Sequence, residues 1–296
     1  MGAHQEIFVK QAFMKIVSVL NHKGGVGKTT FTGSTAQALA LVGFRVLAID
    51  NDSQHNLSTM LGLGVQSPSI RDVFLTPFEE APKVFLKSIR KTELIDLHCI
   101  TAPSDLCDAD ALDLSFLREC MTACTLERFY DFILIDNAPG MDRLQASAIT
   151  ASDEIFVPTE LKQFAVDGIV EMENILAQRF PDCAHITRII PNFYRDTIRQ
   201  KSFIAALQKL FPGLVTKTAI PIDPVFDEVI TEGKILFLHR FASKGAAFYL
   251  KLIHELFDLE EEKVWEMVME KRNDCRSDEA RKRFNALAAK NSPAPS

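Results

Sequence analysis

The chain is poor in the residues that mark several protein classes. Its six cysteines, at 99, 107, 120, 124, 183 and 275, form no C-x-x-C pair. Cys120 and Cys124 stand one helical turn apart, a spacing common in cores, so reduced thiols of a cytosolic protein are expected rather than a disulfide framework or zinc site. The seven histidines are scattered with no H-x-x-x-H pair, which leaves no metal site built on them. Glycine and proline number only 13 each in 296 residues, which excludes a collagen-like repeat. No apolar run free of charge reaches the roughly 18 residues that a membrane-spanning helix needs. The N-terminal stretch Met1–Lys10 lacks a basic start followed by an apolar core, so no signal peptide is expected. Gly2 is followed by Glu6 where a myristoylation signal has Ser or Thr. Basic residues are not in excess: 33 Lys and Arg face 39 Asp and Glu, a net charge of −6. That argues against attraction of the whole surface to nucleic acid and leaves room for a local basic patch.

What is present is a core. Hydrophobic residues make up 47% and charged residues 24% of the chain, enough to fold one large domain. Apolar, β-branched runs alternate with helix-length segments. The runs are Lys15–Leu20, Arg45–Asp50, Leu94–Ile100, Phe132–Asp136, Glu154–Pro158, Ile186–Ile190 and Leu214–Ile220. Strands apolar on both faces and separated by helices predict an α/β fold, a mostly parallel twisted sheet with helices on both faces. The main domain is expected over residues 14–257. An arm, 1–13, precedes it. A charged helical extension, 258–290, follows in two pieces, 259–272 and 278–290, and residues 291–296 form an expected disordered tail.

The most informative segment is Asn21-His-Lys-Gly-Gly-Val-Gly-Lys-Thr-Thr30, where the first strand meets the first helix. In such a loop the backbone N–H groups of Gly24, Gly25, Val26 and Gly27, continuing through Lys28, Thr29 and Thr30, can turn inward and cradle phosphate oxygens, aided by the helix dipole. Lys28 can reach the β and γ phosphates, and Thr29 can ligate Mg²⁺. The usual G-x-x-x-x-G-K-[ST] pattern would place glycine at position 22; His22 stands there, and a second lysine, Lys23, opens the loop. Carboxylates end two of the strands, Asp50 with Asp52 and Asp136; taken alone, such residues also cap loops.

The loop resembles the deviant Walker A motif of the ParA/Soj/MinD family of ATPases. Ala48–Ser58 is similar to that family's D-x-D-P-Q-x-N, with Ser53 in place of Pro. Tyr130–Gly140 is similar to its Walker B strand, with Asn137-Ala138 before Pro139. Pro158–Gly168 follows P-x-Q-x-E-x-x-A-x-x-G, with Glu160 and Lys162 exchanged for the usual Gln and Glu. Ile190–Tyr194, Ala219–Asp223, Glu232–Ile235 and Ser243–Leu250 continue the match in order. The resemblance implies ATP and Mg²⁺ as cofactors and slow hydrolysis of ATP. Asp50 and Asp136 are then expected to hold Mg²⁺ through water and Asp52 to position the attacking water. Lys23 is expected to reach the ATP of the other subunit in an ATP-bound homodimer. Asn192 and Pro221 fall where the family contacts adenine, Asn192 being otherwise a turn residue.

Three functions compete within this resemblance. Nitrogenase iron proteins need cysteines near the Walker B region, and none occurs between 125 and 182. A MinD-like membrane-associated ATPase should end in a basic amphipathic helix, whereas residues 259–272 open Leu-Glu-Glu-Glu and carry a short stripe of Trp265, Val268 and Met269. That stripe is expected to dock on the domain or on a dimer partner, without stable membrane insertion. A ParA-type DNA-positioning ATPase fits best: residues 185–251 hold ten Lys or Arg against five Asp or Glu, net +5, leaving −11 elsewhere. Arg195, Arg199, Lys201, Arg240 and Lys244 are the candidate DNA contacts, Arg195 and Arg199 on one face of a helix running to about Phe211. A ParB-like activator or cargo adaptor is implied, and a cytoplasmic, nucleoid-associated location. An ATP-binding regulatory module that does not hydrolyse ATP is the alternative from a different class.

Overall fold

The computed structural model describes residues 14–106, 113–162 and 165–273. Its centre is a seven-stranded sheet: β1 (Lys15–Val19), β2 (Val46–Asn51), β3 (Ile89–Lys91), β4 (Leu97–Ile100), β5 (Phe132–Asn137), β6 (Glu154–Glu160) and β7 (Ile186–Asn192). The spatial order is β3-β4-β2-β5-β1-β6-β7. All neighbours run parallel except β3, which pairs antiparallel with β4. The middle strand of this order, β5, and its neighbour β2 are buried at every residue, which is why they read as unbroken apolar runs.

Apolar clusters fill both faces. On one, the helix Lys28–Leu41 lies between the sheet and the helix Lys244–Phe257, with Phe31 packed edge-on to Phe156 and tilted against Tyr249. Covered from both sides, it is buried at twelve of its fourteen residues and has no polar face. On the other face, the helices Ile70–Leu75, Ala81–Ser88, Phe116–Ala123 and Arg143–Ala151 cover Ile49, Ile133 and Ile135. The expected α/β architecture, a mostly parallel sheet with helices on both faces, is the one observed.

Three local expectations differ. Leu214–Ile220 is not a strand: only isolated bridges, Ile189 to Val215 and Tyr194 to Pro221, join it to the sheet. The Glu255 carboxylate takes the N–H groups of Lys217 and Thr218, the latter at 2.9 Å, and this interrupts the ladder. Strand β3 was not expected; its Ile-Arg-Lys sequence is short and half-exposed, with no alternation to detect. The expected helix start at Arg195 moves three residues on. Thr197 caps the helix Ile198–Leu210 by accepting from the Gln200 N–H, so Arg195 lies before the helix and shares no face with Arg199.

Past Phe257 the chain turns through Asp258, and residues 261–273 form a further helix. Its Val264 and Val268, with Leu259 before it, join the main apolar cluster, Trp265 meets Phe241 edge-on, and the Arg272 guanidinium lies over the same Phe241 ring. Lys271 forms an ion pair with Asp96. The arm 1–13, the second helical piece 278–290 and the tail 291–296 lie outside the described residues.

This packing makes the helix part of the core. Val268→Asp is expected to cost about 3 kcal/mol or more, because it buries a charge among apolar side chains. Met269→Asp, on the exposed side, is expected to stay within about 0.5 kcal/mol of the parent. Urea unfolding midpoints of the two variants check this; equal midpoints would contradict the packing.

Candidate functional site

The loop between β1 and the helix Lys28–Leu41 closes on itself through local bonds. The Asn21 side chain accepts from the Lys23 N–H at 3.0 Å and donates to the Pro158 carbonyl at 2.9 Å. Gly27 ends the loop with φ of 87°, in the left-handed region, and a Cβ there would come within 2.2 Å of the Asn192 Nδ2. Glycine is required at this position on both counts. On the open side, a Cβ at Gly25 would meet nothing within 4 Å. The helix that follows has no side-chain cap and no acidic residue in its first turn, so its N-terminal N–H groups stay available to an anion.

Two carboxylates stand behind the loop. Asp50 and Asp136 are direct partners in the parallel register of β2 and β5. Both are fully buried. Asp136 accepts from the hydroxyls of Thr29 at 2.7 Å and Thr32 at 3.0 Å. Asp50 accepts from the Ser58 N–H at 2.8 Å and the Ser58 hydroxyl at 2.6 Å. Burial pushes the Asp50 carboxyl up to about 7, against the pull of the Ser58 bonds. Burial raises Asp136 as well, with the facing Asp50 charge adding to it. Lys28, itself buried, donates to the Asn21 and Lys23 carbonyls at 3.3 Å each. Burial lowers its pKa, and the charges of Asp136 and Asp52 oppose that shift. Asp52 is held by the Gln54 N–H at 2.9 Å.

Lys28, Thr29 and Asp52 open onto a cleft of about 620 Å³, within the range of small-molecule sites, while Asp136 and Asp50 lie buried behind Thr29. Gly24, Gly25, Gly27, Lys28, Thr29, Thr30 and Asp52 line its phosphate-loop side, and Phe193, Ile222, Asp223, Pro224 and Phe226 the other. The site's chemistry fits a phosphorylated ligand with a hard cation. It offers open backbone N–H groups, one lysine, a threonine hydroxyl and two buried carboxylates. Among the described residues, no group of three or more His, Cys, Asp or Glu is placed to hold a metal by itself. A Mg²⁺ ion here would therefore lean on Thr29, water and the ligand's own phosphates.

The sequence-expected residues divide. Lys28, Thr29, Asp50, Asp52 and Asp136 converge, with Gly24 to Thr30 around them. Asn192 lines the cleft, but its amide donates to the Val26 carbonyl at 2.9 Å, tying β7 to the phosphate loop. Pro221 is buried in its bridge with Tyr194; the residues after it, Ile222 to Pro224, make the wall. Lys23 is exposed, does not line the cleft, and its Cε passes beside Gly168 on the helix Ala165–Arg179. Of the candidate DNA contacts, Arg240 is paired with Glu228 and Lys201 with Asp196. Arg195, Arg199 and Lys244 are exposed; the latter two lie over the Phe203 and Phe248 rings. Sequence reading missed Ser58 and Thr32, which hold the two carboxylates. Thr32 was findable, one turn after Thr29 on the same helix; Ser58 reaches Asp50 only through the turn that follows β2.

Comparison with known proteins agrees with this geometry. The family model described as an AAA domain matches residues 14–180, more than half of the chain. The chromosome partitioning protein ParA of Caulobacter vibrioides is 30% identical over 262 residues, 84% of this chain and 96% of the relative. The sporulation initiation inhibitor protein Soj of Bacillus subtilis is 30% identical over 82% of this chain and 98% of its own length. The septum site-determining protein MinD of Pyrococcus horikoshii, solved with Mg-ADP, superposes with a TM-score of 0.66 at 27% identity, covering 82% of this chain and 96% of that one. An ATP complex of a McdA variant from Cyanothece shares the fold, with a TM-score of 0.69 at 19% identity. The phosphate loop with its second lysine, the paired buried carboxylates behind it and these similarities place the chain in the ParA/Soj/MinD family of deviant Walker A ATPases.

Proposed function

We propose that this protein is a slow ATPase that dimerises on ATP, binds DNA without sequence preference, and segregates or positions DNA or another cargo. A ParB-like activator or cargo adaptor would stimulate it. Residues 14–257 carry the ATPase and residues 258–290 an extension. The observation that carries the reading is that Lys28, Thr29 and Asp52 line one cleft, with the buried pair Asp136 and Asp50 directly behind Thr29. ATP supplies the phosphoanhydride whose cleavage drives the cycle. Lys28 and the loop N–H groups neutralise charge on its phosphates. Thr29 ligates Mg²⁺, and Asp50 and Asp136 hold the cation's waters. Burial gives both carboxylates a reason to take up a cation, since an unpaired buried charge is costly. Asp52, at the cleft edge, positions the attacking water.

Lys23 supports the dimer. Lys28 already serves the cleft of its own subunit, and Lys23 lies outside that cleft, where a second subunit can present its phosphates. The non-hydrolysing alternative is disfavoured by the presence of Lys23, Lys28, Asp52 and Asp136 together. The membrane alternative is disfavoured because, of the stripe Trp265, Val268 and Met269, Val268 is buried in the domain together with Val264, and Trp265 packs against it, leaving only Met269 exposed. No helix among the described residues is long and apolar enough to cross a membrane. For DNA, Arg199 and Lys244 are the stronger candidates, since Lys201 and Arg240 are engaged by carboxylates.

Three outcomes are expected. Lys23→Ala keeps nucleotide affinity within a few-fold but loses turnover by about 100-fold or more, the scale of a missing transition-state cation. Phosphate release and nucleotide titration measure the two separately, and unchanged turnover would remove Lys23 from the mechanism. Asp52→Ala binds ATP, dimerises and stalls, as seen by size-exclusion with ATP; failure to bind ATP would assign Asp52 to binding instead. Arg199→Glu loses DNA binding while still dimerising, and Lys244→Glu weakens it. In gel shifts over a salt series the parent should need ATP and weaken steeply with salt. Equal binding by Arg199→Glu, or binding indifferent to ATP, would leave the DNA reading without support.

A further inference from the structure

The helix Ile198–Leu210 opens on a capping signature whose second half is redirected. Thr197 and Gln200 have the T-x-x-Q spacing in which the Gln side chain reaches back to the N–H of the cap residue. Thr197 does its part and accepts from the Gln200 N–H at 3.2 Å. The Thr197 N–H goes to the Arg195 carbonyl instead. The Gln200 amide reaches further back along the chain. Its Oε1 accepts from the Arg195 N–H, and its Nε2 donates to the Phe193 carbonyl at 3.3 Å. Neither bond belongs to the cap.

Phe193 is a residue that needs holding. Its φ of 54° lies in the left-handed region, which a bulky side chain rarely adopts. Its N–H donates to the Asn192 Oδ1 at 2.9 Å, and its carbonyl accepts from Gln200. Side chains thus hold both polar groups of this residue. The same Asn192 amide donates to the Val26 carbonyl of the phosphate loop at 2.9 Å. The Phe193 ring lines the nucleotide cleft, and a Cβ at Gly27 would stand 3.6 Å from its Cζ. A continuous chain of hydrogen bonds therefore runs from Val26 through Asn192, Phe193 and Gln200 to Arg195. The helix that supplies Gln200 also carries Arg199 and Lys201.

The geometry points to Gln200 as a positioning residue that couples the nucleotide site to this basic helix. The switching element is Phe193. It stays left-handed while Asn192 and Gln200 hold its two ends. Released by either, it returns to the backbone conformations that phenylalanine prefers, and Arg195 and the helix start move with it. A nucleotide biases this choice at two points. Its phosphates fix the Val26–Gly27 backbone against Asn192, and its body packs against the Phe193 ring; both favour the held arrangement. The consequence for DNA affinity rests on the DNA reading above, whereas the coupling itself rests on nucleotide binding alone.

Amide hydrogen exchange on the full chain, with and without Mg-ATP, tests the coupling without DNA. In the parent, ATP should slow exchange by about ten-fold in peptides covering 193–203 as well as in those covering 21–30, a size typical of coupled sites. Gln200→Met keeps the side-chain length and removes both amide bonds. In that variant ATP should still protect 21–30 but change 193–203 by less than about two-fold, the result of lost coupling. Thr197→Ala weakens the helix cap and leaves the relay in place; exchange over 193–203 rises, yet the ATP effect persists. In gel shifts, Gln200→Met should lower the ratio of DNA affinity with ATP to that without by about ten-fold. A parent that fails to bind DNA but shows the exchange pattern would remove the DNA reading and leave the coupling standing. An ATP effect on 193–203 that is equal in Gln200→Met and the parent would overturn the proposal. So would its absence from a parent whose 21–30 peptides are protected, or its equal loss in Thr197→Ala, which would make Gln200 a helix-stability residue only.

Discussion

The Asp136 carboxylate is the point on which the site and the fold both depend. It ends a fully buried central strand, and two threonines of the helix after the phosphate loop donate to it. Those bonds hold the start of the helix Lys28–Leu41 against the sheet and so set where the phosphate loop must turn. They also leave a buried charge beside a second one, Asp50, across the β2–β5 pair. Such a pair is tolerable only because hydroxyls, N–H groups and Lys28 surround it, and a cation would relieve it further. The buried carboxylate pair and the position of the loop thus arise from one constraint.

The same helix is gripped from behind. The helix Lys244–Phe257 covers it, and the C-terminal helix 261–273 covers its far end, where Lys271 donates to the Ala40 carbonyl at 3.4 Å. On the cleft side, the segment after Asp52 leads into a close backbone approach between Gly62 and Gly233. A Cβ at Gly233 would stand 2.9 Å from the Thr59 carbonyl. Gly233 ends the helix Val225–Glu232, whose Phe226, Asp227 and Ile230 wall the cleft. The acidic turn and the wall opposite the phosphate loop are therefore one packed unit. Asn192 adds a third tie, joining the end of β7 to Val26. A ligand that bridges the cleft touches elements that already bear on one another.

Much of this was legible in the sequence because the signals are local. Glycines followed by Lys-Thr-Thr can be read as a phosphate loop from residue type alone, since backbone freedom, positive charge and a hydroxyl are needed within a few residues. Apolar runs ending in Asp50 and Asp136 announced buried strands with carboxylates at their ends, and the alternation with helices announced a parallel sheet. Cap residues were less decisive. Arg195 and Arg199 read as one helical face, yet Thr197 between them supplied the cap and separated them.

What tertiary structure alone decided is which side chains are already spent. No spacing reveals that Ser58 holds Asp50, that Glu255 takes the N–H groups of Lys217 and Thr218 and stops a strand, or that Glu228 and Asp196 engage two of the five candidate DNA contacts. These pairings join residues up to 38 positions apart, through turns whose direction depends on the whole packing. An apolar stripe of Trp265, Val268 and Met269 was visible in the sequence, but whether it faced lipid, a partner or its own core was not. Val268 and Trp265, with Val264, which that stripe did not include, face the core because the helix Lys244–Phe257 and its neighbours leave an apolar surface beside them that water would otherwise cover, whereas Met269 stays exposed. Residue chemistry and local spacing determined the fold class and the grouping of the phosphate loop with its strand-end carboxylates; the competition among distant groups for the same partners determined the rest.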